Sequence, residues 1–142
     1  MNVRRSVAMS AATIVLGGGL ALAAPTAANA APTDGPAVQD SWSRLWTADI
    51  SGDYLKSHGQ WVSQGYKQPN GSRMARGVFS CSGNGTAKLT VLNLDTGQRK
   101  SKVHSCKGDR YHVDPVSYRN GETVKLILKG SQNTKVEAWA GR

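Results

Sequence analysis

The chain has 142 residues, 19% charged and 39% apolar, with 16 Gly against 5 Pro and a formal charge of +9. That length supports one modest core and a leader, and the absence of a G-X-Y period or a sustained heptad excludes collagen-like and coiled-coil readings. No apolar run reaches the ~20 residues that a membrane-spanning helix of the mature protein needs.

Residues 1–30 read as a secretory signal peptide, bacterial in style. Arg4 and Arg5 precede an apolar stretch from Val7 to Ala24, loosened by Gly17, Gly18 and Gly19, and Ala28-Asn29-Ala30 is a small-residue cleavage site. The arginine pair touches the twin-arginine pattern, but little else there matches it, so ordinary export is expected. Cleavage after Ala30 leaves 112 residues with sixteen basic against nine acidic side chains, a balance of +7. Export to an extracellular location puts Cys81 and Cys106, the only cysteines, in an oxidising compartment. A disulfide between them is expected, closing a loop of about 25 residues and contributing ~3 kcal/mol by chain entropy.

Residues 31–38 (APTDGPAV) hold two prolines and little to bury, and read as a flexible mature N-terminus before a single β domain over 39–142. In Trp42, Leu45, Trp46 and Ile50 the spacing i, i+3, i+4, i+8 suits a short helix or turn near residues 40–50, although Trp42 and Trp46 would also share a strand face. Gln60–Tyr66 is a first strand candidate. From Ser72 onward, period-2 runs punctuated by Gly and Asn place strands at 77–82, 86–94, 98–106, 110–113, 122–129 and 134–140. The predicted class is all-β: a small antiparallel β-sandwich or partly closed barrel with one disulfide.

Three hairpins with three-residue loops bring apolar residues to a common face. A loop at Gly83–Gly85 pairs Cys81 with Ala87, Phe79 with Leu89 and Gly77 with Val91; one at Asp95–Gly97 pairs Leu89 with Val103; one at Ser131–Asn133 pairs Leu128 with Val136. The expected core is Phe79, Leu89, Val91, Val103, Val124, Leu126, Leu128 and Val136, with some of the tryptophans. This register carries a conflict, because Cys106 shares the parity of Lys100, Lys102 and His104, opposite Val103, and its strand would lie two strands away from that of Cys81. A bulge near His104–Cys106, or strands in different sheets, would be required.

Few residues suggest catalysis. Asp49-Ile50-Ser51-Gly52-Asp53 alternates oxygens as a calcium loop does, but Tyr54 and Gln60 stand where the sixth-position Gly and twelfth-position Glu are needed, so no metal and no cofactor is expected. Asn70 and Asn84 open glycosylation-like triplets that read as ordinary turns. Of the three histidines, His104 and His112 lie on neighbouring strand candidates with Asp109, Asp114 and Glu137 in range, the one acid–base pair on offer.

The strongest surface signal is a basic stripe of Arg99, Lys100, Lys102, His104, Lys107 and Arg110. It suits an anionic polymer, but it lacks the interleaved aromatics of a strand-binding platform, and lysines that protect an edge strand from pairing with another chain explain it better; nucleic acid fits its charge but no motif supports it. Trp139, across from Lys125 on the non-core parity, is a candidate surface aromatic, which Trp42, Trp46 and Trp61 would have to join to make a platform stacking on sugar rings; tryptophans in so small a domain are more often part of the core. The favoured expectation is a secreted, non-catalytic β module that binds a partner protein or an anionic cell-envelope polymer. The alternatives are a secreted protease inhibitor, or a small hydrolase or nuclease using His104 and His112.

Overall fold

The structure, a computed structural model, describes residues 41–142; the expected leader over 1–30 and the loose segment over 31–38 lie outside the described residues. Its elements are β1 (Trp42–Ile50), helix α1 (Gly52–His58), β2 (Trp61–Val62), β3 (Met74–Asn93), β4 (Arg99–His112), β5 (Val116–Ser117), β6 (Val124–Gly130) and β7 (Thr134–Gly141). The strands form one curled antiparallel sheet in the order β1-β7-β3-β6-β2, with β4 and β5 also pairing β3. The all-β class is as expected, in its partly closed barrel form.

The expected helix or turn at 40–50 is a strand. A bulge between Arg44 and Trp46 inserts Leu45 into the β1–β7 ladder, which imitates helical spacing and turns Trp42 and Trp46 to opposite faces. The helix follows immediately. Ser51 caps it by accepting from the Tyr54 amide at 3.2 Å, Asp53 sits in its first turn, Leu55 is buried beneath it, and Gly59 ends it in the left-handed conformation with φ 73°.

None of the three expected hairpins forms as drawn. Gly83–Gly85 does not reverse the chain: β3 runs on through it as a 20-residue strand, bent at a corner that the side chain of Gln132 covers by donating to the Asn84 carbonyl at 2.8 Å. β6 and β7, expected to pair with each other, instead divide β3 between them, β7 along Met74–Cys81 and β6 along Ala87–Asn93. The bend folds the two halves of the sheet face to face. The side chains of Leu89 and Val91 therefore do meet Gly77, but across a core and not as ladder partners; a Cβ on Gly77 would lie 2.7 Å from Leu89 Cδ2 and 3.2 Å from Val91 Cγ2.

The β3–β4 turn closes one residue differently from expectation. Asn93 receives the Gly97 amide on its carbonyl and donates its own amide to Gln98, both at 2.9 Å, so Leu89 pairs with Lys102 rather than Val103. A shift of one residue reverses every side chain of a strand. Val103 thus leaves the expected core and stands 56% exposed, while the other seven expected core residues are buried, together with Val113, Val116, Tyr118 and Leu55. The same shift settles the parity of Cys106, the unreversed β3 removes the separation of the two strands, and the irregularity expected near His104–Cys106 is present, the ladder slipping between Ser82–Lys107 and Thr86–Ser105. Cys106 now has core parity, and its strand lies directly beside the bent β3 that carries Cys81, with Cα atoms 4.6 Å apart in the disulfide.

The two ends of the sheet path, β1 and β2, meet through aromatic rings. Trp46 of β1 packs edge-on against Trp61 of β2 at 6.4 Å and against Tyr66 at 5.2 Å. Side chains, not ladder bonds, close that seam. Burial pushes the Tyr66 phenol well above its ordinary range.

Two substitutions test this packing. Gly77→Val should lower stability by ~1–3 kcal/mol, because the halves must part to admit the side chain. Cys81→Ser should cost ~2–5 kcal/mol. Urea unfolding measures both, and a Gly77→Val protein as stable as its parent would contradict the face-to-face folding of β3.

Candidate functional site

The bend separates the sequence-predicted basic stripe into three groups. Lys100, Lys102 and His104 share the core parity of Val91, Leu89 and Ala87, at the edge of β4 that pairs with no strand among the described residues, where the lysines are exposed and the His104 ring stacks on Tyr111 with centroids 3.5 Å apart. Lys107 is exposed opposite Ser82 at the corner. Arg99 and Arg110 take the other parity and lie on the convex face, on different halves of the bent sheet.

On the convex face of the β6 half, Arg99 is joined by lysines outside the predicted stripe. Lys88, Thr90 and Leu92 of β3, Ile127 and Lys129 of β6, Arg99 and Ser101 of β4, and Gln60 line an open trough of about 430 Å³. Lys88 and Lys129 are direct cross-strand partners, a like-charge juxtaposition that costs stability unless something anionic offsets it. Lys125 stands on the same face opposite Leu92. No carboxylate lines the trough, and none of its three cations makes an ion pair among the described residues. These lysines were legible as the alternate positions of strands whose other positions are core.

The convex face of the β7 half is different in kind. Arg44, Trp139 and Arg76 form one cross-strand row, and Thr47, Glu137, Val78 and His112 form the next. Glu137, 7% exposed, accepts from the Trp139 indole N–H at 2.8 Å and pairs with Arg110, which reaches over from the far side of β3. Burial pushes the Glu137 carboxyl up, but the Trp139 and Arg110 hydrogen bonds, with the charges of Arg110 and Arg44, outweigh it and keep the group below its ordinary range. Arg76 lies 3.9 Å over the Trp42 ring and 5.8 Å from Trp139, and Arg110 is 5.2 Å from Trp139 on centroid distances. Trp139 is thus a half-buried surface aromatic, joined by Trp42 and not by Trp46 or Trp61.

The structure does not bring the two candidate catalytic histidines together. His104 has concave parity against Ala87, whereas His112 lies across from Val78 on the convex face. Among the charges predicted near them, Glu137 faces His112. Burial, then Arg76 and Arg110, hold the His112 imidazole below its ordinary value against a smaller opposing pull from Glu137. Arg76 and Arg44, which complete this cluster, escaped the sequence reading because single arginines on separate strands give no local run.

Both Glu137 and His112 bind protons less readily folded than unfolded, so stability is present at higher pH and lost in acid. It should fall first as pH drops through and below 6.5, where an unfolded histidine charges, and again below 4.5, where an unfolded glutamate is neutralised. Urea unfolding across pH, repeated on His112→Gln and Glu137→Gln, should show each variant lacking its own stage. An unchanged acid slope in Glu137→Gln would refute the assignment.

No family model matches the chain, and no curated protein matches it.

Proposed function

We propose that the chain is a secreted, non-catalytic β module that binds an anionic polymer along the convex face of its β6 half. The observation that carries this reading is the trough bearing Lys88, Arg99 and Lys129 without a carboxylate in its lining. Three cations fixed on adjacent strands, two of them direct neighbours, gain from a polymer that brings several negative charges at once. The charge of +7 left after leader removal adds long-range attraction, and the N-terminal leader would deliver the module to a compartment where envelope polyanions are found. The Cys81–Cys106 disulfide is compatible with that compartment. No helix among the described residues is long and apolar enough to cross a membrane.

Lys100 and Lys102 support a different role. They flank the edge of β4 that pairs with no strand among the described residues, where lysines discourage edge-to-edge association. The two groups should separate experimentally. Binding of inorganic polyphosphate, measured against rising salt, should weaken steeply, and Lys88→Gln with Lys129→Gln should reduce the slope of log affinity against log salt by roughly one for each lost phosphate contact. Lys100→Gln with Lys102→Gln should keep most of that affinity and increase aggregation. Salt-independent binding, or a slope unaffected by the trough variants, would sink the polymer reading.

A further inference from the structure

The β7 half of the convex face has a chemistry that the trough lacks. Indole and guanidinium groups alternate along it as Trp42, Arg76, Trp139 and Arg110. Trp139 remains half-buried, and the guanidiniums of Arg76 and Arg110 lie over its ring at 5.8 and 5.2 Å from the centroid, a looser approach than that of Arg76 to Trp42 at 3.9 Å. Arg76 has no ion-pair partner among the described residues, and its Nε is buried without an acceptor. An arginine held in place by stacking, with donor capacity unspent, is a prepared receptor for an oxyanion. The one buried carboxylate of the cluster, Glu137, is already engaged by Arg110 and Trp139.

We propose that this face binds single-stranded nucleic acid, with a base stacked on the Trp139 indole and the adjoining phosphate taken by Arg76 and Arg110. The proposal names the polymer class and rests on the polymer reading for the trough, which lies along the same β3–β4 ribbon beyond the Gly83–Gly85 corner. A flat aromatic flanked by cations discriminates a ringed polymer from a ringless one, because every base presents a π-face whatever its identity. Sequence tolerance is therefore part of the expectation. A polyphosphate or teichoic-type chain satisfies the arginines alone and leaves the indole unused.

The test compares a twelve-nucleotide oligothymidylate with an abasic oligonucleotide of the same length and charge. The expected result is tighter binding of the oligothymidylate, with quenching of tryptophan fluorescence that the abasic strand does not produce. Trp139→Leu should weaken oligothymidylate binding by roughly 5- to 100-fold, the range for loss of a stacked base, and leave the abasic strand unaffected. Because Trp139 also donates to buried Glu137, Arg76→Gln serves as a second variant, with near-ultraviolet circular dichroism verifying the fold of both. It should weaken both strands and lower the salt slope. Equal binding of the two strands, unaffected by Trp139→Leu, would overturn the stacking platform while leaving the polymer reading standing. No binding of either strand, nor of polyphosphate, would overturn both.

Discussion

Everything in this fold follows from a single strand that bends where it was expected to reverse. β3 serves two half-sheets, with β7 along Met74–Cys81 and β6 along Ala87–Asn93, and the corner between them is covered by Gln132. At Gly83, with φ 121°, a Cβ would lie 2.4 Å from the Gln132 amide oxygen, so the glycine admits both the backbone conformation and its cover. The bend brings the concave faces together, and hydrophobic burial between them does what a second sheet does in a sandwich. At Gly77 that approach leaves no room for a Cβ, the space being taken by Leu89 and Val91.

The disulfide belongs to the same geometry. It joins neighbouring strands close to the corner, where the β3–β4 register is irregular between Ser80 and Thr86, and so fastens the ribbon where its ladder is interrupted. The aromatic seam of Trp46, Trp61 and Tyr66 acts at the opposite side, between the two ends of the sheet path, which share no ladder bonds. Between these fastenings lies the convex surface, and the bend divides it into a lysine-lined trough and an arginine–tryptophan cluster with different electrostatics. In the trough no carboxylate among the described residues offsets the cations; in the cluster Glu137 neutralises one guanidinium and tempers the charge felt by His112.

Compositional and parity arguments were sufficient for much of this. Strand content and seven of eight expected core residues follow from period-2 alternation, because a pleated strand with one buried face shows its burial in every second residue, and the cysteine pair follows from there being only two. The lysines of the trough were legible on the same principle, as the opposite parity of the same strands. Strand partners were not legible. Gly83-Asn84-Gly85 is as compatible with a corner as with a turn, and local residues do not say whether a chain that can reverse will do so. Nor does alternation reveal a bulge such as Leu45, or a one-residue change in turn closure such as the one at Asn93, and each of these reversed the face of every residue beyond it.

The sequence by itself therefore determined the all-β class, the cysteine pair and the positive charge, because these depend on composition and on a two-residue period. Only the tertiary structure decided which charges stand together. Arg44, Arg76, Arg110, His112 and Glu137 come from four strands and meet because β1, β7, β3 and β4 lie side by side. Long-range pairing is settled by the burial of the whole concave face, a property of the sheet as a unit, and so the arrangement of its outer face is inherited from the packing of its inner one.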